Sequence, residues 1–150
     1  IISEDFNQGY LNYNLEEWTF RVRIIDSNKG FLTLKSSFNG FMNYEFEYPI
    51  PIEDATELLT LSKYKIIKTR YQLKTNKKNW VVDSFHDENH SLKIAEIELQ
   101  SDSEEVVIPS WCGEEITGNK LLSNASLAKT PISKLSIQDR IKTKDLHQNS

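Results

Sequence analysis

Hydrophobic and polar residues alternate with a period of two through most of the first hundred positions, the mark of strands whose successive side chains point to opposite faces. The pattern predicts strands near Gln8–Tyr13, Trp18–Ile25, Phe31–Ser37, Phe41–Tyr48, Tyr64–Leu73, Asn79–Phe85 and Leu92–Gln100. The intervals carry turn chemistry: Asp26 to Gly30, Asn39-Gly40, Thr75 to Lys78 and Asp87 to Asn89. Strands this closely spaced must be mostly antiparallel, because a parallel crossover needs about a dozen residues or more. Two stretches switch to helical spacing. One begins at Pro51, with Glu53 and Asp54 in its first turn and Ile52, Ala55, Leu58, Leu59 and Ser62 following. The other spans Asn119–Lys129, with Leu121, Leu122, Ala125 and Ala128 on a loose apolar face. Beyond Pro131 the chain turns polar, which predicts one domain over 1–131 and a flexible tail over 132–150.

Sorting the strands by face exposes a second regularity. Arg21 and Arg23 lie opposite Phe20, Val22 and Ile24; Thr33 and Lys35 lie opposite Leu32 and Leu34. Glu45 and Glu47 lie opposite Tyr44, Phe46 and Tyr48, and Lys68 and Arg70 opposite Ile67, Thr69 and Tyr71. Asp83 lies opposite Val82, and Glu96 and Glu98 opposite Ala95, Ile97 and Leu99. An antiparallel sheet with one solvated face gives the same alternation. Solvent faces usually mix polar types, however, whereas here like charges recur as i, i+2 pairs. Two unit charges about 4 Å apart interact by about 4 kcal/mol at an effective dielectric of about 20, so such pairs on an inward face need counter-charges or ligands between them. Five cations (Arg21, Arg23, Lys35, Lys68, Arg70) and five acids (Glu45, Glu47, Asp83, Glu96, Glu98) balance if the strands surround a common space. That space suits a polyanion held by the bases and divalent cations held by the acids.

Composition narrows the choice. No apolar run approaches the roughly 18 to 20 residues of a membrane helix, and no secretory h-region opens the chain. The net charge of −4 speaks against nucleic acid as the partner. Cys112 is the single cysteine, so no internal disulfide framework is possible and a reducing cytoplasm is the expectation.

The order of motifs then resembles a known family. Gln8-Gly9-Tyr10-Leu11, Arg21-Val22-Arg23, Leu32-Thr33-Leu34-Lys35, Glu45-Phe46-Glu47, Lys68-Thr69-Arg70-Tyr71, Trp80 to Phe85, Ala95-Glu96-Ile97-Glu98-Leu99 and Pro109 to Thr117, followed by Asn124 and Leu127-Ala128, are similar to those of CYTH domains, the triphosphate tunnel metalloenzymes. The resemblance implies a mainly β (α+β) fold: a closed antiparallel barrel with a charged lumen and helices packed outside. It also implies metal-dependent hydrolysis of a small-molecule triphosphate, with inorganic tripolyphosphate the first expectation. A non-catalytic polyphosphate-binding domain is the alternative, and class IV adenylate cyclase or thiamine triphosphatase activity stands behind it. By the same resemblance Arg21, Arg23, Lys35, Lys68 and Arg70 would bind phosphate oxygens. Glu96 and Glu98, with Glu45 and Glu47 joining them or orienting the bases, would hold Mg²⁺ or Mn²⁺, and Asp83 would position a metal-bound water.

Two departures stand against that pattern. The family's first strand, acidic-x-acidic-x-Lys, has no counterpart in Ile1-Ile2-Ser3-Glu4-Asp5. Asn43 stands where an Arg often precedes the glutamate pair. Without that first strand a seam in the barrel stays open. The chain would then be a fragment of an enzyme, a degenerate domain that binds without cleaving, or a domain completed by a strand from another chain. His86-Asp87-Glu88-Asn89-His90 has the composition of a metal cluster, but its place in a hairpin loop favours a solvated turn. Trp18, Trp80 and Trp111 read as packing residues, and Cys112 has no recognisable base beside it.

Overall fold

The computed structural model describes residues 1–36, 44–75, 78–99, 101 and 103–135. Seven strands form one antiparallel sheet: β1 Ile2–Tyr10, β2 Trp18–Ile25, β3 Lys29–Ser36, β4 Glu45–Ile50, β5 Tyr64–Thr75, β6 Lys78–Phe85 and β7 Lys93–Ile97. Their order is β4-β3-β2-β1-β5-β6-β7, so β4 and β7 are the edges and the sheet is not closed. Asn39-Gly40 and most of the tail fall outside the described residues.

The first strand begins at Ile2, six residues earlier than the alternation predicts, and pairs along its length with β5. Glu4 and Asp5, side by side in sequence, therefore point to opposite faces, which disguised the strand. At the other end β7 stops at Ile97, so Glu98 lies just beyond it. The hairpin between β2 and β3 takes its positive φ angles at Asp26 (50°) and Ser27 (62°), not at Gly30.

Gly30 serves a different purpose. Helix α1, Ile52–Leu61, lies across the outer face with Ala55 fully buried against Val22 and Ile24. A Cβ on Gly30 would come within 2.6 Å of Ala55 Cβ, and one on Gly9 within 2.6 Å of Ser62 Cβ. The two glycines let the helix settle on the sheet.

Helix α2, Asn124–Lys129, is placed otherwise. Ser123 caps it through its side-chain oxygen, which accepts from Ser126 N. Leu127, Ala128 and the preceding Leu122 pack on Tyr10, Ile66, Phe85 and Ile94, all residues of the charged face. So α1 is the outer helix of the expectation, while α2 forms an apolar floor at one end of the inner face. Asn89 fixes that floor: its Nδ2 donates to Leu127 O at 3.3 Å and its Oδ1 accepts from Ile132 N at 2.8 Å. Ile132 packs against the same cluster and Leu135 is buried as well, so the described residues just after Pro131 lie against the body.

Candidate functional site

Register alone puts the charged residues on one face. Gln8 is opposite Arg23 and Tyr10 opposite Arg21 across β1 and β2, while Phe6 meets Lys68 and Glu4 meets Arg70 across β1 and β5. The row continues from Arg70 to Asp83, and from Arg21 through Thr33 to Glu47. Side chains directly opposite in an antiparallel pair share a face, so the period-two reading of the sequence is correct for these strands.

At the middle of this face sits a tight ionic cluster. Asp83, 2% exposed, accepts from Arg70 Nε at 2.8 Å through Oδ1, and through Oδ2 from Lys68 Nζ at 2.8 Å and Arg70 Nη2 at 2.9 Å. Lys68 is completely buried, and its Nζ also donates to Asn124 Oδ1 of α2 at 3.1 Å. Beneath the cluster the ring of Phe6 faces three cations, with Arg23, Arg70 and Lys68 at 4.6, 4.9 and 5.6 Å from its centroid. The negative face of the aromatic ring offers them partial compensation without a counter-charge.

The electrostatics follow from crowding. Burial, with Arg70 and Arg23 nearby, draws the Lys68 ammonium down to about 8 against the pull of Asp83. Burial and the neighbouring Arg21 and Arg70 lower Arg23 to about 10. Burial alone would raise the Asp83 carboxyl, but the hydrogen bonds and charges of Arg70 and Lys68 outweigh it and hold the group below its usual value. The hydrogen bond to Asp83 raises Arg70. Tyr10, buried beside Arg21 and Arg23, is kept neutral because desolvation exceeds their attraction. Two donors on this face, Gln8 Nε2 and Arg21 Nε, are buried without a hydrogen bond of good geometry, although both side chains approach the Tyr10 hydroxyl. A cluster richer in cations than in acids, with buried donors that lack good hydrogen bonds, can offer both charge and hydrogen bonds to an anion.

The sequence-derived residues divide into two sets. Arg21, Arg23, Lys68, Arg70 and Asp83 come together; Lys35 is exposed, opposite Glu45 on the neighbouring strand. The acids proposed for metal lie apart: Glu45 and Glu47 on edge strand β4, Glu96 on edge strand β7 and Glu98 past its end, all exposed. Among the described residues no three His, Cys, Asp or Glu side chains converge on a point where an ion would sit. That holds for the His86 to His90 turn as well, where His86 Nε2 instead contacts Thr69 Oγ1 on the outer face. Asp83, expected to position a water, has both oxygens occupied by the two cations. Phe6 was missed, and Gln8 and Asn124, quoted among the motifs, were given no part in the site. Phe6 would have emerged from extending the alternation of β1 back to Ile2; the contact of Asn124 with Lys68 has no local signal, since only the tertiary fold brings α2 there.

Comparison with known proteins agrees with this architecture. The model of the CYTH domain matches residues 3–131. A protein named inorganic triphosphatase from Acetivibrio thermocellus is 38% identical over 128 residues, covering 84% of this chain and 81% of that one. One of the same name from Nitrosomonas europaea is 30% identical over 125 residues, covering 81% and 82%. The crystal structure of an inorganic triphosphatase superposes with a TM-score of 0.67 at 27% identity, covering 85% of this chain and 86% of that one.

Proposed function

Because this chain belongs to the CYTH domain family, we propose that it hydrolyses a terminal phosphoanhydride bond of a triphosphate, with inorganic tripolyphosphate as the substrate. The observation that carries this reading is the group of buried Lys68 and half-buried Arg23 and Arg70 around Phe6, with one carboxylate, Asp83, holding Lys68 and Arg70. Three cations and one acid leave an excess of positive charge in a partly desolvated place, which polyphosphate oxygens would neutralise. Arg21 and Lys35 extend the cationic track towards β3. Guanidinium groups suit the task because their planar forks donate paired hydrogen bonds to phosphate. Asp83 acts in this scheme by aiming Lys68 and Arg70. Catalysis then consists mainly of positioning and of neutralising charge as the bond to phosphorus breaks.

The acids fit the accompanying cation in chemistry. Glu45, Glu47, Glu96 and Glu98 offer carboxylate oxygens of the kind that hold Mg²⁺ or Mn²⁺. They stand on the two edges of the sheet, Glu45 and Glu47 on β4, Glu96 on β7 and Glu98 just past it. When bound, such an ion neutralises phosphate charge and makes an attacking water more acidic.

The test is release of phosphate from tripolyphosphate with and without Mg²⁺ or Mn²⁺, with ATP and thiamine triphosphate beside it. Metal-dependent release, abolished in Arg23→Ala, is the expected result. Tight binding without release would favour a non-catalytic polyphosphate-binding domain, the second reading that the separation of the acids supports. Preference for ATP or thiamine triphosphate would move the substrate assignment.

A further inference from the structure

Cations on the inner face are held in two chemically different ways. Arg70 is held by the Asp83 carboxylate, which cancels charge as it aims the group. Arg23 is held by a neutral amide: its Nε donates to Gln8 Oε1 at 2.9 Å. Lys68 is held by both kinds, Asp83 Oδ2 and the amide oxygen of Asn124. We propose that Gln8 and Asn124 are positioning residues of the phosphate site, whose amide oxygens fix the directions of Arg23 and Lys68 without cancelling their charge.

Gln8 is suited to this by its surroundings. It is completely buried. Its amide orientation is settled by chemistry, because turning it over would set an NH₂ group against the Arg23 Nε–H, donor to donor. Holding the oxygen on Arg23 leaves Nε2 as a buried donor without a hydrogen bond of good geometry, beside the Tyr10 hydroxyl and on the same face as Arg21. An anion oxygen reaching Arg23 would find that second donor beside it. Asn124 does its part from outside the sheet. It stands at the start of α2, whose Leu127 and Ala128 are locked into the floor, so its side chain reaches Lys68 from an anchored helix. A carboxylate at either position would satisfy the same hydrogen bond but subtract one unit of positive charge beside the phosphate.

That difference gives the experiment, which rests on the reading that these cations hold phosphate. Gln8→Glu and Asn124→Asp keep shape and hydrogen bond and add charge; Gln8→Met and Asn124→Leu keep approximate shape and remove the bond. Tripolyphosphate binding is measured by calorimetry and stability by urea unfolding. The acidic variants are expected to hold or raise the urea midpoint yet bind tripolyphosphate about tenfold more weakly each. In Gln8→Met the Arg23 Nε proton should exchange with solvent faster than in the unaltered chain. A side chain needed only for folding would show the reverse: affinity unchanged in Gln8→Glu and Asn124→Asp, which would overturn the proposal alone. Failure of the unaltered chain to bind tripolyphosphate would instead overturn the functional reading, and this proposal with it.

Discussion

The middle of the sheet and its edges carry the same kinds of residue under opposite conditions. In the middle of β2, β5 and β6 the inner-face charges Arg21, Arg23, Lys68, Arg70 and Asp83 are buried or half-buried, and Lys68 and Arg70 are both bonded to Asp83. In β4 every residue from Glu45 to Pro49 is exposed, and on β7 Glu96 is exposed as well. The centre therefore keeps its shape through interactions within the chain. The edges depend on whatever lies across them. The residues proposed for phosphate and those proposed for a divalent cation are thus organised by the chain itself to different degrees. Each prediction below sets one region against the other.

The largest effect should come from breaking the centre. Asp83→Ala leaves the Lys68 ammonium buried without its counter-charge and frees Arg70, and removal of one partner from a buried pair costs about 3–5 kcal/mol. Urea unfolding should show that loss, together with loss of tripolyphosphate binding. A loss below about 1 kcal/mol would mean that the centre is as loosely held as the edges. The matching change at an edge, Glu96→Gln with Glu98→Gln, should leave the urea midpoint where it was, since exposed carboxylates contribute little to stability. Metal-dependent phosphate release should nevertheless fall about a hundredfold. Unchanged release would remove the β7 acids from the site.

Legibility from sequence followed the same division. Period-two alternation found Arg21, Arg23, Lys68, Arg70 and Asp83 because strand parity is a local property, and the register confirms that they share a face. It failed at the ends of strands. Ile2 to Asp5 mix apolar and acidic residues without clean alternation, yet they form β1 because β5 offers a partner along the whole of its length. Glu98 keeps the right parity in sequence but falls outside β7, where parity no longer fixes a direction. The floor was illegible for another reason. The apolar residues of α2 could be read as one face of a helix, but not that this face would meet Tyr10, Ile66 and Phe85 from the charged side of the sheet. Gly30 looks like a turn residue in sequence; it and Gly9 are positions where α1 and its C-cap come close to the sheet.

Raising the pH should separate stability from binding at the centre. Lys68 titrates at about 8 in the folded chain and at 10.5 unfolded. Between those values the unfolded chain binds the extra proton, so this lysine makes stability rise with pH. Arg23, lowered to about 10, acts in the same direction only at the top of that window. Tyr10, raised above 10.0, acts in the opposite direction beyond it. From pH 8 to pH 10 the contribution of Lys68, faced by Asp83, Arg70 and Arg23, should therefore raise the urea midpoint. Over the same range tripolyphosphate affinity should fall by at most about tenfold per pH unit, as one proton is lost from a cation that binds it. If stability and affinity fell together, Lys68 would not be the group responsible.

The smallest effect belongs to the ion pair of Arg21 with Glu47, which joins the two regions. Arg21 Nη2 lies 3.8 Å from Glu47 Oε2, with Thr33 Oγ1 between them accepting from Arg21 at 3.2 Å and donating to Glu47 at 3.2 Å. Arg21 is 14% exposed and Glu47 41%, so water screens the pair at its acidic end. Exposed pairs of this length contribute up to about 1 kcal/mol, and less in salt. Glu47→Gln keeps an oxygen for Thr33 and loses only the charge, so the urea midpoint should move by less than about 0.5 kcal/mol, and the shift should shrink further at high salt. Tripolyphosphate binding measured without metal should strengthen, because an acid at the end of the cationic track has gone. A stability loss well above 1 kcal/mol would mean that β4 is held in place by the centre, and that the edges are already organised for the cation. A small loss with tighter metal-free binding would leave Glu47 as a group whose charge serves the metal side of the site and opposes the phosphate side, which is how the two regions come to need each other.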